Sequence, residues 1–153
     1  MKSLAMRNIA CLLLFSSQLF AMAQYSFDQP VVFGEKDGLV SEDINCIQQD
    51  DRGFIWIGTT QSLSRFDGSL FKNYVKEVGN PASIQNSLIL DVIPDGNQLW
   101  IGHFQGFSIL DLSKEQFTSY QLTDSGITTD LWTISQRVFD IYQDRQDRFW
   151  ISS

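Results

Sequence analysis

Residues Arg52–Ser69 read RGFIWIGTTQSLSRFDGS. Trp56 stands between two isoleucines, and Gly58 closes the apolar run. Side chains alternate along an extended strand. Phe54, Trp56 and Gly58 therefore point one way, Ile55 and Ile57 the other. Both faces are apolar, whereas an antiparallel sheet with one wet face alternates apolar and polar residues. This strand is expected to lie between two neighbouring layers. Further on, Asp67-Gly68 supplies the backbone freedom of a tight hairpin.

The stretch recurs. INCIQQDDRGFIWIGT starts at Ile44, ILDVIPDGNQLWIGH at Ile89 and VFDIYQDRQDRFWISS at Val138. Each opens on two apolar residues three positions apart: Ile44 and Ile47, Ile89 and Val92, Val138 and Ile141. Each passes through an acidic turn and closes on tryptophan followed by isoleucine, at Trp56, Trp100 and Trp150. The second turn is one residue shorter. After the first two tryptophans, Phe71 and Tyr74 correspond to Phe117 and Tyr120.

A period of about 40–50 residues marks a repeat architecture. Each full copy is expected to give four short strands. In the first these are Ile44–Gln48, Phe54–Gly58, Leu63–Phe66 and Leu70–Val75. In the second, Ile89, Val92 and Ile93 also fit a helix, but Pro94-Asp95-Gly96 ends that run too early for one. Repeated four-stranded antiparallel sheets, dry on both faces, are the blades of a β-propeller. The expected fold is all-β, an incomplete propeller of roughly two and a half blades.

The ends of the chain fit this organisation. Lys2 and Arg7 precede a continuous apolar run from Ile9 to Phe15, and Ala21-Met22-Ala23 offers a small-x-small cleavage pattern. Residues 1–23 read as a secretory signal peptide, with an uncleaved membrane anchor as the alternative. The apolar run is short for a bilayer span of about 20 residues. Cys11 does not read as a lipidation site, because Asn8 stands where leucine is wanted. Residues 24–43 are expected to hold an outer strand at Val31–Phe33 and a lead-in. Blade 1 follows over 44–79, blade 2 with its linker over 80–132, and a truncated blade 3 over 133–153. The chain is expected to be a partial reading frame, its remaining blades lying elsewhere in the parent chain.

Without residues 1–23, nine basic side chains stand against eighteen acidic ones, a net charge of −9. Such a surface repels phosphate backbones, so no direct nucleic-acid contact is expected. Cys46 is then the only cysteine, read as a small buried hydrophobe.

No catalytic constellation is visible, and no metal or cofactor is expected. His103 is the only histidine, which leaves no histidine cluster and no triad with a nucleophile motif. The acidic turns at Asp50-Asp51 and at Asp144–Asp147 are interrupted by arginines and read as solvated turns rather than calcium loops. A glycosidase pair would need two facing carboxylates, for which abundance of acids is no argument. The tryptophans of the repeat, with Gly58 and Gly102, read as packing residues. Ligand contacts are sought in less regular places: Gln61, His103 at the end of its strand, and Trp132 in the connection between copies two and three.

The motif set resembles the two-component regulator propeller repeat. It comprises Gly38-Leu39, Ile44, Ile47, Asp50, Gly53, Trp56-Ile57-Gly58-Thr59 and Arg65-Phe66-Asp67, with Asn80–Ile84 resembling the usual link between blades. Ser62, Asp147 and Ser152 depart from its glycines, while Gly106 keeps one. The resemblance implies the periplasmic sensor region of a membrane-spanning regulator of Bacteroidetes type. Such regions are commonly followed by a β-sandwich, a membrane helix and a histidine kinase, and commonly sense products of polysaccharide breakdown. It implies an exported chain on the periplasmic side of the inner membrane, an oligosaccharide or other small ligand, and a homodimeric receptor. It also implies that this segment is not itself an enzyme. A secreted propeller enzyme such as a lyase or hydrolase, a protein-interaction scaffold, and a sensor with another output domain stay open beside that reading.

Overall fold

The computed structural model describes residues 30–123, 126–128 and 137–153. The expected signal peptide and Trp132 lie outside these residues. Phe33–Ser153 forms one packed unit, while Pro30–Val32 belongs to an N-terminal unit and has no regular structure.

Eleven strands are described: β1 Ile44–Gln49, β2 Ile55–Thr59, β3 Leu63–Phe66, β4 Phe71–Tyr74, β5 Ile89–Asp95, β6 Gln98–His103, β7 Gly106–Asp111, β8 Gln116–Thr123, β9 Gly126–Thr128, β10 Asp140–Gln143 and β11 Phe149–Ser152. They form sheets ordered β1-β2-β3-β4, β5-β6-β7-β8-β9 and β10-β11, every pairing antiparallel. The fold is all-β, built of successive meander sheets in the manner of propeller blades. First strands of successive sheets lie together, β1 against β5 and β5 against β10.

The chain departs from expectation in two places. Val31–Phe33 forms no strand. Phe33 instead packs its ring on Phe66 and Phe71, with centroids 4.8 and 5.9 Å away, and a short 3-10 turn follows at Glu35–Asp37. The second sheet has a fifth strand, because β8 runs eight residues and leaves an edge on which Leu122 pairs with Ile127. Pro94 sits inside β5, an edge strand of its sheet, where a missing N–H is tolerated.

Register explains how the tryptophan face of β2 is covered. Trp56 pairs with Arg65 and Gly58 with Leu63, so these side chains share the face toward the second sheet. Trp56, Leu63, Ile89, Val92, Leu99, Ile101 and Leu110 form one buried cluster across that seam, most of them fully inaccessible. Burying one such aliphatic side chain contributes about 1.5–3 kcal/mol, so this cluster dominates cohesion between the first two blades. A second cluster joins Phe107, Val138 and Ile141, flanked by Trp100, Phe149 and Ile151, across the next seam.

Candidate functional site

Each seam is locked by the glycine after the tryptophan. A Cβ on Gly58 would come within 2.7 Å of the Ile89 methyl Cγ2 and would also strike the Cys46 sulfur. A Cβ on Gly102 would lie 2.9 Å from Val138 Cγ1 and 3.2 Å from the Val138 carbonyl oxygen. Ile89 and Val138 open the first strands of their copies, so the next blade's entry seats where the preceding blade has no side chain. Polar bonds tie the same seams. The Asn45 amide donates to the Ile89 carbonyl at 2.6 Å, and the Ile141 N–H donates to the Asp91 carboxylate at 2.8 Å.

Tryptophan position follows from this arrangement. Trp56 is inaccessible to solvent and stacks at 6.0 Å on Tyr74, which meets Phe117 of the second sheet edge-on at 5.7 Å. Trp100 stacks between Phe149 of the third sheet, at 4.0 Å, and Phe107, at 5.6 Å. Trp150, at the same position in the third sheet, is 57 % exposed.

A polar ladder crosses the other face of each full sheet. In blade 1, Thr59 Oγ1 accepts from the Gln61 and Ser62 amides, Ser62 Oγ lies 3.1 Å from Ser64 Oγ, and Ser64 donates to Asn73 at 2.7 Å. In blade 2, His103 Nε2 lies 2.9 Å from Ser108 Oγ, which lies 2.7 Å from Ser119 Oγ. The Gln105 amide donates to His103 Nδ1 at 3.2 Å, so Nε2 carries the proton and donates to Ser108. His103 is wholly buried in the seam facing blade 1. Burial, with a contribution from the Lys76 charge, pushes its pKa down to about 3. Both ring nitrogens are occupied, which leaves no lone pair for a substrate or metal. His103, a candidate ligand contact by its place at a strand end, sits instead as an interior ladder residue.

Gln61 is exposed in the β2–β3 turn, with its amide N–H on Thr59. Its equivalent in the β6–β7 turn, Gln105, lines a groove of about 510 Å³ together with Lys76, Glu77, Asn80, Ser83 and Gln85 of the link between blades. The Asn86 amide donates to Gln105 Oε1 at 3.1 Å. Gln105 could have been found by carrying the position of Gln61 into the second copy. Among the described residues no group of three metal-ligating side chains converges, and no helix is long and apolar enough to cross a membrane.

The sequence pattern of the family described as "Two component regulator propeller" matches residues 38–61 and 134–153. Over those two segments the chain matches the two-component regulator propeller repeat. The two matched segments hold the first and third copies of the repeat; the second copy, with its shortened turn, lies between them and builds a meander sheet of its own with one strand more than the first. No match is found among curated proteins. Among solved structures, this chain is similar to the extracellular domain of BT3049 from B. thetaiotaomicron, named as a hybrid two component system. The likeness has a TM-score of 0.67 and 26% identity, and covers 79% of this chain and 17% of that one. The chain thus spans about a sixth of the structure it matches.

Proposed function

We propose that this chain is part of the periplasmic ligand-sensing propeller of a membrane-bound two-component receptor. The observation that carries this is the likeness to an extracellular domain of a hybrid two component system across 79% of the chain, together with the propeller repeat. In this reading an extracellular oligosaccharide or similar nutrient binds the assembled propellers. Binding shifts the arrangement of paired receptor chains and so biases a histidine kinase and transcription. Such a shift requires that the ligand bind one arrangement more tightly than the other.

The groove beside Gln105 supports a polar, hydroxyl-bearing ligand: the Asn80, Gln85 and Gln105 amides can donate to and accept from hydroxyls, and Lys76 and Glu77 add one charge of each sign. Calorimetry of the receptor's whole ectodomain against a broad panel of oligosaccharides tests the reading. Saturable heat with one glycan class is expected. Silence across the whole panel would reject carbohydrate sensing.

A further inference from the structure

Two seams of this molecule are filled in the same way, and a third face carries the same parts uncovered. The filled seams set Ile89 against Gly58 and Val138 against Gly102. On the third sheet, Tyr142 pairs with Trp150 and Asp140 with Ser152. Trp150, Tyr142 and Phe139 are 57, 60 and 56 % exposed. Ser152 stands in the register of Gly58, which pairs with Cys46, and of Gly102, which pairs with Asp91. The open face therefore repeats the tryptophan of the filled seams but not their glycine.

That exchange has a steric consequence. In both filled seams a Cβ at the glycine position would stand under 3.0 Å from a methyl group of the incoming residue. Ser152 has that Cβ and an oxygen beyond it. An isoleucine or valine cannot seat there at the depth seen in the first two seams. We propose that the open face of the third blade takes a further blade of this repeat whose first strand opens on a residue smaller than valine, with Ser152 setting that limit. The filled seams say what covers the face, and Ser152 says what size fits. The proposal rests on seam geometry and is independent of what the receptor senses.

Blade 1 of a second copy is a ready probe. Its own first face exposes Ile44 and Ile47, which correspond to Ile89 and Val92, and so to the residues that fill a seam. Ile44 is too large for Ser152. Wild-type copies are expected not to dock head to tail through this face. Ser152→Gly should restore the notch and raise self-association about tenfold in sedimentation equilibrium, about 1.4 kcal/mol, by relieving the overpacking. Trp150 should then become protected from acrylamide quenching, read against a Trp150→Phe chain. Ile44→Ala in the Ser152 background should also raise association, because a small residue fits beside Ser152. Ile44 is exposed, so this variant decides the matter even if Ser152→Gly fails to fold. Association unchanged in the folded variants, or Trp150 already buried between wild-type copies, would overturn the proposal.

Discussion

The indole N–H of Trp56 donates to the Asp50 carboxylate at 2.9 Å, and Trp150 makes the same bond to Asp144 at the same distance. Both aspartates begin three-residue turns closed by a residue at positive φ, Gly53 at 87° and Asp147 at 57°. In both turns the same carboxylate also receives two backbone N–H groups: Arg52 and Phe54 at Asp50, Gln146 and Arg148 at Asp144. The acidic turn is thus a device for holding the tryptophan ring. The second copy lacks it. Its two-residue turn brings no carboxylate to Trp100, whose buried Nε1 has no hydrogen-bond partner.

Asp50 is 5 % exposed, and its removal would strand two backbone donors and the indole. Asp50→Ala is expected to destabilise the chain by about 2–4 kcal/mol, read as a lower urea midpoint. Asp95→Ala, in the turn of the second copy, should cost clearly less, because Asp95 makes no bond to a tryptophan. Equal losses from the two substitutions would remove the turn aspartate from its assigned role.

Gly58→Ala and Gly102→Ala should each destabilise by about 1–3 kcal/mol through overpacking. Gly58→Ala is expected to be the worse, since its Cβ would meet the Cys46 sulfur, the Ile89 methyl at 2.7 Å and the Ile89 Cβ, fixed on its backbone, at 3.2 Å. Ile89→Ala combined with Gly58→Ala should cost less than the sum of the single changes, as contacting residues are not additive. Denaturant unfolding of the four variants checks this, and strict additivity would place the clash elsewhere.

Strand positions were legible in the sequence for a physical reason. Paired apolar residues such as Ile44 and Ile47, and the doubly apolar FIWIG, have to be covered on both sides, which only stacked sheets achieve. The Asp50–Trp56 bond was not legible, because it depends on a three-residue turn that swings the carboxylate over the ring. The polar ladder was hidden for another reason. Thr59 and His103, or Asn73 and Ser119, share no chemistry in a sequence comparison, and their common role appears only in the pairing register. Val31–Phe33 read as a strand because it is apolar, yet Phe33 finds its cover in aromatic rings rather than in a ladder.

The Cys46 thiol is held at a pKa of about 12, first by burial and second by the Asp91 charge. Thiolate is the reactive form. Cys46 should react slowly with an alkylating reagent at pH 8 and become fast in urea. Rapid labelling of the folded chain would show that the Gly58–Ile89 seam opens readily.

His103 gives the molecule a pH dependence of definite sign. Its ordinary value of 6.5 falls to about 3 in the fold, so the folded chain holds the ring neutral while the unfolded chain takes up a proton below 6.5. Stability supplied by the neutral ring is therefore complete above pH 6.5 and is lost progressively as pH falls toward 3. The Asp144 carboxyl, lowered to about 2 chiefly by the Trp150 indole, adds its own loss only below its ordinary value of 3.8. Between pH 6.5 and 4 the slope should belong mainly to the histidine. His103→Gln, which keeps a polar side chain in the ladder but cannot titrate, should flatten the dependence of the urea midpoint on pH across that window. An undiminished slope in the folded variant would mean that His103 is protonated inside the seam, against the geometry of its two engaged nitrogens.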